Sequence, residues 1–102
     1  MHYTLRSTKI FKDWLRSIRD QRAKHSIAQR LDRVQIGNFG DCSPVCEGVS
    51  ELRIFVGKGY RVYLTVRKQT IVFLLCGGHK GSQARDISLA KELNRQLDDN
   101  QE

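Results

Sequence analysis

The sequence predicts an α+β protein in which helices lie against a small antiparallel sheet. Residues 51–75 hold three short apolar runs, the first two alternating with polar side chains, separated only by the turns Gly57-Lys58-Gly59 and Lys68-Gln69. Two stretches before these runs and one after them carry apolar residues at helical spacing. A parallel crossover takes about a dozen residues or more, so links this short make the runs an antiparallel meander.

Taken in order, His2–Leu5 is a short first strand with Tyr3 and Leu5 on one face. Ser7 and Thr8 offer capping hydroxyls before Lys9. Ile10, Phe11, Trp14, Leu15 and Ile18 form an apolar helical stripe flanked by Lys12, Arg16 and Arg19. An aromatic on such a stripe, here Trp14, reads as core packing and not as a ligand platform. A weak break at Asp20-Gln21 precedes a second stripe, Ile27, Leu31 and Val34, which Gly37 closes. Residues 37–50, GNFGDCSPVCEGVS, contain three of the eight glycines and the only proline, which predicts a loop or irregular edge.

In the meander, Leu52, Ile54 and Val56 point one way and Arg53 the other. Val62, Leu64 and Val66 likewise oppose Arg61, Tyr63 and Thr65. A side-chain period of two packs one face and solvates the other. A Gly77-Gly78 break and a basic strip then lead to a last helix that starts at Asp86 or Ser88, with Ile87, Ala90, Leu93 and Leu97 as its stripe. The expected order is β-αα-βββ-α, with helices on one sheet face. The other face is expected to stay open and basic, with an aromatic on it, which suits a polyanion.

At 102 residues the chain is expected to be a single domain, 1–102, with one modest core. No apolar run approaches the roughly 20 residues that span a bilayer. The start, MHYTLRSTKIFKDW, lacks the apolar core of a secretory signal. A cytoplasmic protein with no membrane partner is expected. The net charge of +7 is uneven: +6 over residues 1–40, +4 over 41–85 and −3 over 86–102. A basic body of this kind points to nucleic acid or an acidic protein as partner, against the plainer reading of a soluble basic protein.

Three cysteines, an odd count without a secretory signal, argue against a disulfide framework. Cys42-x3-Cys46 with Cys76-x2-His79 would supply a three-Cys, one-His zinc set. Against it, Cys76 ends the apolar run Ile71–Leu75, where it serves as a small core side chain. No metal and no cofactor are expected.

The pattern Glu51-Leu52-Arg53-Ile54, Gly59-Tyr60-Arg61-Val62-Tyr63, Leu74-Leu75-Cys76-Gly77-Gly78, Lys80 and Gln83-x-Arg85-Asp86-Ile87 with Ala90 resembles the RelE/ParE toxin superfamily. More narrowly it resembles the HigB-like, phage-derived "addiction module killer protein" branch. The resemblance covers nearly the whole chain. It implies the toxin of a type II toxin–antitoxin system, a metal-independent endoribonuclease that cuts messenger RNA, commonly on the ribosome, and arrests growth. It also implies a small antitoxin partner with a helix-turn-helix domain, encoded by the adjacent gene. In the reaction so implied the ribose 2′-OH attacks the adjacent phosphate, which calls for a base, an acid and cations for the developing charge.

Arg53 and Arg61 match the family's strand cations and can clamp a phosphate through planar guanidiniums. Lys80 matches the basic residue after the last strand, and crowding by other cations would fit a lysine for base duty. Arg85 and Gln83 would flank the cleft, Lys58 would contact RNA, and Tyr63, on the face of Arg61, would stack on a base. His79 stands where the family more often has an acid; it is either an acid/base group or an inert turn residue. Each cation also has a plain reading: sheet-surface charge for Arg53 and Arg61, a solvated turn for Lys80, an exposed ion pair with Asp86 for Arg85. No tyrosine follows Tyr63, so the C-terminal tyrosine of the ribosome-dependent RelE pattern is missing. Two rival functions remain open in the sequence: a ParE-like inhibitor of DNA gyrase, and a non-catalytic RNA-binding module.

Overall fold

The structure, a computed structural model, describes residues 2–100. The elements are β1 (Thr4–Ser7), α1 (Lys9–Ser17), α2 (Gln21–Gln35), β2 (Cys42–Cys46), β3 (Val49–Ile54), β4 (Tyr60–Arg67), β5 (Ile71–His79), a 3-10 turn (Lys80–Ser82) and α3 (Gln83–Asn100). The strands form one sheet in the order β1-β5-β4-β3-β2. β2 to β5 are an antiparallel meander, and β1 joins parallel to β5 with Thr4 opposite Ile71. This is the expected α+β fold with one more strand.

Local chemistry sets the helix ends. Thr8 caps α1 by accepting the Phe11 N–H at 3.0 Å, and its hydroxyl donates to the Leu75 carbonyl at 2.6 Å, which ties the helix to the sheet. Asp20 caps α2 by accepting the N–H groups of Arg22 and Ala23 at 3.0 and 3.3 Å. Gly37, with φ 93°, closes α2 in the left-handed conformation that glycine takes without steric cost. The inner faces of α1 and α2 bury Phe11, Ala23, Ile27 and Val34 against Leu52, Val62, Leu64, Val72 and Leu74.

The second sheet face is not open. α3 packs on it, and Val49, Tyr63, Leu75, Cys76, Ala90 and Leu93 form a second buried cluster. The stripe on α3 needs an apolar surface, and the first face is already filled by α1 and α2. A bulge makes room: Leu64 pairs with Leu74 and Tyr63 with Cys76, so Leu75 is the extra residue.

Four local expectations also change. The stretch 37–50 contains a strand, β2, paired to β3 with a bulge between Pro44 and Cys46. Pro44 is tolerated because β2 lies at the sheet edge. Gly77-Gly78 is no break, since β5 runs through to His79. A Cβ on Gly77 would lie 2.4 Å from the Trp14 ring, and one on Gly78 1.8 Å from Asp86 Oδ2. Each glycine thus admits a side chain against bare backbone, one on each face of the sheet. α3 starts at Gln83, earlier than Asp86 or Ser88, because His79 caps the turn that feeds it. The first strand is Thr4–Ser7, shifted from His2–Leu5.

No helix among the described residues is long and apolar enough to cross a membrane. Of the acidic end of the chain, Glu102 lies outside the described residues.

Candidate functional site

The polar parity of β3 and β4 puts Glu51, Arg53, Arg61 and Tyr63 on the face that α3 covers, with Arg53 opposite Arg61 and Glu51 opposite Tyr63 across the ladder. Glu51 is the hub. Its residue surface is 1% exposed. Glu51 Oε1 accepts from Arg53 Nη1 at 3.0 Å, and Oε2 accepts from the Tyr63 hydroxyl at 3.0 Å and from Gln83 Nε2 at 2.7 Å. Arg61 Nε lies 3.4 Å from the same Oε2. A buried carboxylate survives only when its charge is met, and this one has three hydrogen-bond donors and the Arg61 guanidinium as a further ion-pair partner.

Arg53 is held from a second side. Its Nη2 and Nε donate to Asp41 Oδ1 at 2.7 and 3.1 Å, and Nη2 also reaches the Ser43 hydroxyl at 2.9 Å. The hydrogen bond from Arg53 is the main reason that the Asp41 carboxyl sits below the usual aspartate range. In turn, the Asp41 and Glu51 carboxylates raise the Arg53 guanidinium. Arg53 is therefore a strut at the rim and less a free clamp than its position on the strand predicts.

Arg61 differs. It is buried, its Nη1 reaches only the Gly59 carbonyl at 3.4 Å, and its Nε has no hydrogen-bond partner among the described residues. The Nε faces Glu51 Oε2 in an ion pair without hydrogen-bond geometry, so Glu51 orients the guanidinium while its Nη groups carry, among the described residues, only the one long hydrogen bond to Gly59. The turn before β4 brings Lys80 alongside: the Lys80 N–H donates to the Gly59 carbonyl at 2.9 Å, and a Cβ on Gly59 would lie 3.7 Å from both Arg61 Nη1 and Lys80 Cβ.

The first turn of α3 closes the group. Asp86 sits over Gly78 and accepts the Ser82 hydroxyl, while Arg85 Nε lies 3.7 Å from Asp86 Oδ1 with its side chain 81% exposed. The plain reading of Arg85 as an exposed ion pair describes its present contacts. Gln83 stands at the rim, bound to Glu51.

One placement corrects the sequence reading, and another separates residues that lie close in the sequence. Tyr63 cannot stack on a base: it is 0% exposed, in the α3 cluster, with its hydroxyl on Glu51. Burial first, then the Glu51 carboxylate, push its phenol far above the ordinary tyrosine value. His79 and Lys58 are not with Arg61. They face the side of α1, in a cleft of about 490 Å³ lined also by Trp14, Ser17, Ile18, Arg19, Asp20 and Tyr60. The Nδ1 of His79 accepts the Gly81 N–H at 3.0 Å, so this imidazole is a turn cap.

The cysteines of the zinc set weighed above are spread over both faces. Cys42 packs with the α1/α2 cluster, Cys46 and Cys76 with the α3 cluster. The bulge at Pro44–Cys46 separates the first two. Burial, with Asp86 nearby, pushes the Cys76 thiol up to about 12, as befits a core side chain. Among the described residues no three of His, Cys, Asp and Glu gather as a metal site.

Glu51 is the residue that sequence reasoning passed over. A lone acid among the cations of a strand's polar parity was the available signal; Asp86 was marked only as a helix start and a partner for Arg85, and Ser82 had no signal.

No protein-family model matches the chain. An uncharacterized protein of Haemophilus influenzae is 45% identical over 97 residues, covering 95% of this chain and 98% of that protein. The chain belongs to one family with it. Among solved structures, a double-arginine mutant of the E. coli toxin RelE in the free state superposes with a TM-score of 0.72, covering 90% of this chain and 97% of RelE at 17% identity. A chain of the toxin–antitoxin complex RelBE2 of Mycobacterium tuberculosis follows with a TM-score of 0.62, 78% and 100% covered, at 18% identity. The fold is that of RelE. In this RelE-like frame, the Glu51–Arg61 group lies where the sheet, the β3–β4 turn and the start of α3 converge.

Proposed function

We propose that the chain is the toxin of a type II toxin–antitoxin pair and acts as a metal-independent endoribonuclease on messenger RNA, in the HigB-like manner and on the ribosome. The observation that carries this reading is Arg61: a buried guanidinium oriented by Glu51, its Nη groups held by only one long hydrogen bond among the described residues, beside Lys80 on a RelE-like fold. An oriented guanidinium with unused donors fits the phosphate oxygens that gain charge when a ribose 2′-OH attacks.

In this reading Arg61 holds the scissile phosphate and stabilises the pentacovalent state. Arg53, braced by Asp41 and Glu51, adds positive potential at the rim. Lys80 exchanges the proton: the 2′-OH loses one, the 5′-oxygen leaves with one, and the products are a 2′,3′-cyclic phosphate and a 5′-OH. Glu51 is a positioning residue, since its oxygens are already taken by Arg53, Tyr63 and Gln83. The partner is a small antitoxin encoded by the adjacent gene, with a helix-turn-helix domain, that covers the basic rim or blocks access to the ribosome. The proposed place of action is the cytoplasm.

Expression of the chain alone, followed by mapping of transcript ends, tests the proposal. Growth arrest with cut messages bearing 5′-OH ends, restored to normal by co-expression of the neighbouring gene, is the expected result. Intact transcripts with trapped gyrase–DNA complexes would overturn it in favour of a gyrase inhibitor.

A further inference from the structure

The cleft beside α1 is on the opposite sheet face from Arg61, yet it shares a rim with the Arg61 group. Successive residues of the chain alternate between the two. Tyr60 and His79, paired across β4 and β5, line the cleft, while Arg61 and Gly78, the next pair, face α3. Lys58 lines the cleft as well, and Gly59, the next residue, touches Lys80 and Arg61. A strand of nucleic acid crossing this end of the sheet would meet both.

The walls of the cleft suit a base. Trp14 packs on the core as its stripe predicts, with its six-membered ring on Gly77 and its ring centroid 6.4 Å from that of Tyr60. Its remaining surface makes a cleft wall that is fixed before any ligand arrives. The imidazole of His79 spends Nδ1 on Gly81, so in the neutral ring the proton is on Nε2, a donor left over for a ligand. Asp20 spends Oδ1 on the α2 cap and leaves Oδ2, 3.3 Å from a Cβ on Gly57, as an acceptor. Lys58 and Arg19 supply positive charge at the cleft for neighbouring phosphates. Aromatic surface, one donor, one acceptor and flanking cations are the parts of a site for a single-stranded base.

We propose that this cleft binds one nucleobase of single-stranded RNA, next to the nucleotide whose phosphate meets Arg61. The proposal rests on the ribonuclease reading for its substrate class, but its test does not use cleavage. Trp14 is the sole tryptophan, so intrinsic fluorescence reports on the cleft directly.

The probe is a 2′-O-methyl RNA hexamer of mixed sequence, which lacks the attacking hydroxyl. It is titrated beside an abasic hexamer of equal charge and an oligoglutamate peptide. The hexamer is expected to quench Trp14 saturably and the other two to leave it unchanged. His79→Ala and Lys58→Ala are each expected to weaken the hexamer by roughly tenfold, one directed hydrogen bond or one phosphate contact being worth about that. Arg6→Ala, which removes one positive charge at β1, should leave the titration as in the wild type. Equal quenching by the abasic hexamer would show phosphate binding only, and quenching by oligoglutamate would mark a protein-binding groove; either overturns the proposal, as does a flat response to the hexamer. A protein that quenches but never cuts RNA would keep the cleft and lose the ribonuclease. One that cuts RNA with Trp14 silent would do the reverse.

Discussion

The two faces of the sheet are built from different materials. Toward α1 and α2 the contact is apolar: Ile27, Val34, Leu52, Val62 and Val72 are fully buried and need no partner beyond shape. Toward α3 a smaller apolar cluster is interrupted by Glu51, Arg61, Thr65, Asp86 and Asn94, all buried. The first face can stabilise by area removed from water alone. The second must satisfy each donor and acceptor, and it does so around Glu51 while leaving Arg61 Nε unmet. Apolar packing fills one side, and the charged groups of the candidate site are gathered on the other.

Glu51→Ala should break this contrast most severely. It strips the acceptor from Arg53, Arg61, Tyr63 and Gln83 at once, and removing one member of a buried ion pair costs about 3–5 kcal/mol. Urea unfolding should show that loss, with cleavage gone in parallel; a variant as stable as the wild type would mean the polar hub contributes nothing to the fold. Arg61→Ala should separate the two properties. Glu51 keeps three donors, so the circular dichroism spectrum and melting should stay close to wild type, while the cleavage rate falls by about 100- to 1000-fold. An unchanged rate removes Arg61 from the site.

Ile27→Val is the complementary change on the apolar face. It should cost about 0.5–1.5 kcal/mol in denaturant unfolding and leave the rate per folded molecule unaltered. A lower rate at full folding would show that the two faces are coupled. The smallest effect belongs to the rim. Asp41 has its folded pKa depressed, mainly by Arg53, so its contribution to stability is complete above the ordinary value of 3.8 and fades as pH falls through the lower folded value. Asp41→Asn should therefore lower the melting temperature slightly at neutral pH. The gap from wild type should close in strong acid, and a constant gap from neutral pH to acid would mean that charge at Asp41 is irrelevant.

The contrast also explains what was legible in advance. Helices α1 and α2, strands β3 to β5, the stripe on α3 and the caps at Thr8 and Gly37 follow from periodicity and from local hydrogen-bond chemistry, which act over a few residues and so are written in the order of the chain. The same rules put Arg53 and Arg61 on one strand face. Whether that face meets water was a different question. Alternation states that Tyr63 and Arg61 point together, but only the docking of α3, from residues 83–100, determines that both are buried.

The remaining misreadings share that cause. Gly77-Gly78 looked like a break because glycine weakens a strand in isolation; the ring of Trp14 and the carboxylate of Asp86, from opposite sides, are what require it. Glu51 is one acid in a run until residues 53, 61, 63 and 83 converge on it. His79 and Arg61 lie among the same basic residues in sequence, and the sheet separates them onto two faces. The sequence by itself determined every helix and strand but the edge strand β2, their order and the sign of the charge they carry, because those depend on neighbours along the chain. Which side chains are buried, which carboxylate meets which guanidinium, and which donor is left unmet were decided only in the tertiary structure, because burial and pairing depend on neighbours across space.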